Sequence, residues 1–250
     1  SFPTRRSSDL NYSVNLSGST QGTISATVDT DFVGVAAIEG AGQHELLRLL
    51  AGRTSPSRGT VAIPDRIAFI PEDRHRDAMV LDMTLVENVA LRGLSSRRGV
   101  IDWSTLTSEC DQMLGDFDVR ASGHRALGRE LSGGNQQKFV LGRELSMAPE
   151  LVIAENPTRG LDIRATAAVQ RQLRDVRAAG SAVVVYSSDL DEVLALADGD
   201  ARPRVVLARA VARRRARVDH LRVARQHVAD GLAVLELHEP PLQPVHAFFQ

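Results

Sequence analysis

The chain has 250 residues, 43% of them apolar and 24% charged, with a formal net charge of −1 at pH 7. That length suits one large α/β domain or two small ones, and the composition is ordinary for a globular protein. The near-zero total excludes a long-range pull toward nucleic acid or an anionic membrane, and no run approaches the ~18 apolar residues that span a bilayer.

Ser1–Leu10 is polar and aperiodic, so residues 1–10 are set aside from the fold as an artefact of the sequence or a disordered lead. They lack the apolar core of a secretion signal. Thr23–Val28 alternates like a strand, and Phe32–Ile38 is an apolar run suited to a buried one. A glycine turn follows at Gly40-Ala41-Gly42, and helical spacing resumes over Glu45–Leu50. Strand, glycine turn, helix is the order in which a phosphate-binding α/β unit begins. Two further strands are expected at Thr60–Ile63 and Arg66–Ile70, the second running into Pro71-Glu72-Asp73-Arg74. Residues 85–128 read as a mostly helical lobe with a loop at Gly93–Gly99. A helix from Gly133 to about Met147, a strand at Leu151–Ala154, a helix at Ala165–Ala179, a strand at Ala182–Tyr186 and a helix from Asp189 complete the pattern. Strands alternating with helices predict an α/β fold with a mostly parallel core sheet, an N-terminal antiparallel β part and a helical lobe.

Cys110 is the only cysteine, which excludes an intramolecular disulfide and suits a reducing cytosol. The punctuation changes after Asp198, so residues 11–198 are taken as the domain and 199–250 as an aberrant tail. From Arg202 to Arg225 there are nine arginines against one acid, Asp219. This segment has three readings: a patch for nucleic acid or anionic lipid, a solvated helix face, or the wrong reading frame of GC-rich DNA. The third is preferred, and it predicts a sheet without its last strands. His75, His124 and His220 have no metal-ligand spacing and read as surface histidines. Trp103 reads as core or lobe surface, and Tyr12 is an uncertain platform for a purine ring.

The chemistry concentrates in Leu131-Ser132-Gly133-Gly134-Asn135-Gln136-Gln137-Lys138. Ser132 is placed to cap the next helix, the two glycines let backbone N–H groups approach an anion, and the helix end adds partial positive charge. This octapeptide, ahead of a strand that ends in Glu155-Asn156-Pro157-Thr158, resembles the signature sequence of ATP-binding cassette (ABC) proteins. The resemblance covers roughly Phe32–Asp198. With Pro71–Arg76 (PEDRHR) and Ala154–Asp162 (AENPTRGLD), it looks like the ATP-binding subunit of simple-sugar importers, on the branch that handles nucleosides. Such subunits carry two cassettes in one polypeptide, the second commonly degenerate, and this chain looks like that second, C-terminal one.

The resemblance implies ATP and Mg²⁺ as cofactors and assigns roles by position. A working phosphate loop reads G-x-x-x-x-G-K-[ST]. Here its places hold Ala37, Gly42, Gln43 and His44, so the lysine and the hydroxyl for Mg²⁺ are missing while Gly40 and Gly42 keep the turn. Glu155 stands where an Asp holds Mg²⁺ and is a weak metal ligand through water. Asn156 stands where a Glu would polarise water, and a neutral amide accepts no proton. Ser188 replaces the switch histidine, and Glu72 stands where many cassettes have a γ-phosphate-sensing glutamine, although glutamate is usual there in the sugar-importer branch. In the family, two cassettes face head to tail. Ser132, Gly133, Gly134 and Gln136, with Asp162 crossing the interface, would then serve an ATP held by the first cassette. The implied partners are that first cassette and membrane permease subunits, at the cytoplasmic face of the membrane and without direct nucleic acid. The implied enzyme is an ABC-type ATPase subunit whose half here is impaired on its own. The alternative is a soluble ABC-family ATPase acting on nucleic acid or ribosomes.

Overall fold

The computed structural model describes residues 14–15, 32–37, 42–55, 60–61, 63–92, 99–197, 204–210 and 233–237. Gly40, Tyr12, Thr23–Val28 and His220 lie outside the described residues.

The core is a six-stranded parallel sheet. Its strands are β2 (Phe32–Ala37), β4 (Ile67–Ile70), β5 (Leu151–Glu155), β6 (Ala182–Ser187), β7 (Arg204–Ala210) and β8 (Ala233–Leu237), in the spatial order β4-β5-β6-β2-β7-β8. A two-residue antiparallel pairing of β1 (Val14–Asn15) with β3 (Thr60–Val61) stands apart from it, in agreement with the expected antiparallel part. The sheet does not end at Asp198. β7 pairs in parallel with β2, and β8 with β7, so the expected loss of the last strands is not what this topology shows.

The period of two along each strand divides the core. Ala68, Ile70, Val152, Ala154, Val183 and Val185 belong to one apolar cluster. Their neighbours Phe69, Leu151, Ile153, Val184 and Tyr186 belong to a second. Both faces are therefore covered, which is why these strands read as unbroken apolar runs rather than polar–apolar alternation. Helix α1 (Gln43–Leu50) supplies Leu47 to the second cluster. The first receives α5 (Gly133–Leu145), α6 (Ile163–Ala178) and α7 (Leu190–Ala197) through Phe139, Leu141, Val169, Leu173, Val193 and Leu196. On β2, a Cβ at Gly34 would collide with Val193, so the bare backbone there lets α7 close on the strand.

The lobe is built from α3 (Leu85–Leu91) and α4 (Trp103–Asp116). Thr84 and Glu87 form a capping box, with the Thr84 N–H donating to Glu87 at 2.7 Å and the Glu87 N–H to Thr84 Oγ1 at 3.3 Å. Asp102 caps α4 through the amides of Ser104 and Thr105. Leu106, Cys110, Met113 and Leu114 face inward at helical spacing. Burial pushes the Cys110 thiol up to about 12, so it is an inert core residue. Trp103 lies half-exposed on the lobe surface, and His124 pairs there with Asp111 at 2.9 Å.

One short element was not expected. Arg74–Asp77 forms α2, a single turn whose Asp73 cap accepts from the amides of His75 and Arg76. It joins the end of β4 to the lobe, and two of its residues, Arg74 and His75, contact Gln136 of α5.

Candidate functional site

The C-terminal ends of the parallel strands are where such sheets build their sites, and the predicted residues gather there. At the exit of β2, Gly42 has φ 85°, a left-handed conformation that glycine adopts without strain, and it is the residue before α1. Gly42 offers α1 no side-chain cap.

The two residues after the turn face inward. Gln43 is fully buried, and its Nε2 donates to the Tyr186 hydroxyl at 3.3 Å, while Oε1 has no hydrogen-bond partner. The His44 ring packs edge-on against Tyr186, with centroids 5.7 Å apart, and its Nδ1 lies 3.6 Å from Glu155 Oε1. Glu155 is the last residue of β5 and is buried. Its Oε1 makes no hydrogen bond, and its Oε2 accepts the Glu72 N–H at 3.5 Å.

Burial raises the Glu155 carboxyl above its ordinary value of 4.5, against the opposing pull of His44 and Arg48 and with a smaller push from Asp77. The folded chain thus holds this proton more tightly than the unfolded chain does. The stabilising effect is complete below about pH 4.5 and is lost as pH rises through the raised folded value. Glu155→Gln stays neutral, so its melting temperature should gain on the wild type steadily from about pH 4 to neutrality. Parallel melting curves across that range would show that Glu155 carries no such burden.

At this exit the side chains offer a divalent cation one carboxylate, that of Glu155, and the ring nitrogen of His44. Among the described residues there is no group of three or more His, Cys, Asp or Glu side chains that could hold a metal. Mg²⁺ prefers oxygen ligands in octahedral array, and His44 offers nitrogen where a hydroxyl is needed.

Asn156 occupies the middle of the cluster. Its φ of 41° is left-handed, a conformation that asparagine tolerates better than most residues, and its N–H donates to the Tyr186 carbonyl at 2.7 Å. Its Nδ2 donates to Glu72 Oε2 at 2.7 Å. Its Oδ1 accepts from the Ser188 N–H at 2.8 Å and the Ser188 hydroxyl at 3.3 Å. Glu72 is also ion-paired with Arg159. The three positions read from sequence as a sensor, a base and a switch are therefore hydrogen-bonded to one another.

The signature residues form a second group. Ser132 and Gly133 are exposed and Gly134 half-buried at the N-terminus of α5. Ser132 Oγ accepts from the Asn135 N–H at 3.4 Å, the predicted cap. Gln136 is not presented in this way. It is buried, its Oε1 accepting from Arg74 Nε at 3.2 Å and lying 2.8 Å from His75 Nε2, while its Nε2 donates to the Gly128 carbonyl at 3.1 Å. Gln137 donates to the Pro157 carbonyl at 3.0 Å, which ties the same helix to the exit of β5. Lys138 Nζ holds Asp118 at 2.6 Å, at the end of the lobe. Asp162 is exposed and caps α6 through the Ala165 N–H at 2.8 Å, next to an 89% exposed Ile163.

Sequence reasoning missed Tyr186, Arg74, Arg159 and Glu192. Glu192 accepts from Thr158 and Ser187 hydroxyls, both at 2.6 Å, and so joins the exits of β5 and β6. Only the unusual Tyr in an otherwise aliphatic strand carried a local signal.

A parallel sheet with a glycine turn at one strand exit and a capped Ser-Gly-Gly helix beside it defines a cassette of the phosphate-loop NTPase class. A family model described as ABC transporter matches residues 31–159, and the chain belongs to that family. The nucleoside import ATP-binding protein NupA of Lactococcus lactis is 37% identical over 186 residues, which cover 67% of this chain and 37% of NupA. The guanosine import ATP-binding protein NupO of Bacillus subtilis is 34% identical over 186 residues, 67% of this chain and 36% of that protein. The ribose import ATP-binding protein RbsA 2 of Streptomyces coelicolor is 35% identical over 184 residues, with 67% and 36% covered. The chain thus spans little more than a third of the length of these relatives. The fold matches a dimeric post-hydrolysis structure of the ATP-binding cassette MJ0796 with TM-score 0.63 at 19% identity, covering 80% of this chain and 92% of that one.

Proposed function

We propose that this chain is the energy-coupling cassette of an importer for nucleosides or simple sugars, and that it works as half of a shared ATP site. Ser132, Gly133 and Gly134 serve an ATP held by a first cassette, with Asp162 at the interface between the two. The chain's own site is inert toward hydrolysis and corresponds to the second, C-terminal cassette of a tandem pair. One observation carries this reading. The signature helix is capped with its first residues exposed, whereas Gln43 Nε2, Asn156 and Ser188 are hydrogen-bonded to partners within the chain.

The names of the relatives support import and the substrate class. The chemistry supports the inert site, because a buried amide at Gln43 supplies no cation for a triphosphate and Asn156 accepts no proton. No helix among the described residues is long and apolar enough to cross a membrane. The proposal places the chain on separate permease subunits at the cytoplasmic face. The test is affinity capture in detergent. The chain should retain its permease and pass through a nucleic-acid column at physiological salt. Salt-sensitive retention on nucleic acid with no permease recovered would overturn the importer reading in favour of a soluble ATPase.

A further inference from the structure

Three strand exits meet at one side chain. Asn156, just past β5, donates to Glu72 beyond β4 at 2.7 Å and accepts the Ser188 N–H beyond β6 at 2.8 Å. Both ends of the amide are therefore used by groups of the chain itself. From Glu72 the connection continues along rigid chain. Pro71 fixes one side, and Asp73 caps the turn of α2 on the other through the amides of His75 and Arg76. That turn presents Arg74 and His75 to Gln136 Oε1 at 3.2 and 2.8 Å. Gln136 is buried in the first turn of α5 and also donates to Gly128 at 3.1 Å. A Cβ at Gly133 would lie 3.0 Å from Arg74 Nη2, so the signature loop itself rests against this turn. The hydrogen-bonded path Ser188–Asn156–Glu72, then Arg74/His75–Gln136, ends at the start of the signature helix.

We propose that Asn156 is a positioning residue. By clamping Glu72 to Ser188 it sets the place of α2, and through α2 that of the signature helix, with no nucleotide needed in this chain's own site. A position unsuited to hydrolysis thereby acquires a mechanical role, which is to keep the helix poised. The service of that helix to a partner's ATP rests on the function proposed above, but the clamp does not. The two fail separately, because the clamp is read by amide exchange of the intact chain without ATP, and the function by turnover.

The experiment uses hydrogen exchange of the intact chain at neutral pH. Asn156→Asp keeps the acceptor for Ser188 but sets a carboxylate against Glu72. The hydrogen-bonded amides of segments 71–77 (His75, Arg76 and Asp77) and 132–136 (Asn135 and Gln136) should then exchange at least about ten-fold faster, while β5 and β6 keep wild-type protection. Combining Asn156→Asp with Glu72→Gln restores one donor facing one acceptor with the roles exchanged, and should return both segments to within about three-fold of wild type. Adding ATP to the wild type should leave residues 132–136 unchanged. The proposal is overturned if Asn156→Asp leaves both segments protected or if the double variant fails to recover them. It is overturned equally if the loosening spreads to β5, which would make Asn156 a residue of the fold alone, or if ATP tightens the signature loop of the wild type.

Discussion

Glu144→Ala is expected to lower the stability of the chain by about 3–5 kcal/mol and its melting temperature by roughly 10 °C. Glu144 lies in α5 with its side chain only 5% exposed, between two arginines. Its Oε2 accepts from Arg92 Nη1 at 2.6 Å and from the Phe69 N–H at 3.3 Å, and its Oε1 from Arg143 Nη2 at 3.0 Å. Arg143 is itself buried. Desolvation lowers its guanidinium below the usual value, and Glu144 is what pulls it back up. Removing the carboxylate leaves a buried cation without its counter-charge and strands a strand amide, and each of these is costly in a low-dielectric interior. The loss is not confined to one element. Arg92 follows α3 and also donates to the Ile67 carbonyl on β4 at 3.2 Å, so the cluster fastens the lobe to the sheet. Glu144→Gln keeps the shape and part of the hydrogen bonding, so it should lose less. Thermal and denaturant unfolding measure both variants. An Ala variant within about 1 kcal/mol of wild type would mean that the two arginines reach water without the glutamate.

If the chain serves the shared ATP site proposed above, Ser132→Arg is expected to cut ATP turnover of its complex with the first cassette and the permease at least about a hundred-fold, the scale of losing one donor aimed at developing charge. Ser132 is exposed and supplies the cap of α5, and the helix end with its two glycines is suited to an anion. An arginine removes the hydroxyl and fills the space through which a phosphate would reach the Gly133 and Gly134 amides. Folding should survive, since losing a serine cap costs about 1 kcal/mol. Phosphate release by the membrane-bound assembly, with thermal unfolding as the control, tests this. Turnover near that of wild type in a folded variant would remove the signature helix from the reaction.

Much of the architecture was legible because it follows from local pattern. The apolar runs expected at Phe32–Ile38, Leu151–Ala154 and Ala182–Tyr186 became the strands β2, β5 and β6 of the sheet interior, and Ser132 became the expected helix cap, whereas the cap at Asp162 was not foreseen. The glycine turn was legible for the same reason, since Gly42 sits where φ must be positive. What escaped were contacts between segments far apart in sequence. Four residues, Arg74–Asp77, carry no apolar period, so the turn that holds Gln136 left no trace. Gln136 looked like a nucleotide ligand beside two glycines, and its burial against Arg74 and His75 emerges only once segments 61 positions apart are folded together. Asn156 was read from the sequence only as standing where a base would. Its bonds to Glu72 and Ser188 depend on three strand exits converging, which no single segment encodes.

If this chain completes another cassette's site while its own does no chemistry, phosphate release from Mg²⁺-ATP by the chain alone is the quantity to measure. The expected rate is indistinguishable from the protein-free control, with hydrolysis emerging only when a cassette with an intact phosphate loop is added. Robust Mg²⁺-dependent hydrolysis by the chain alone would contradict the inert site and, with it, the division of labour between the two cassettes.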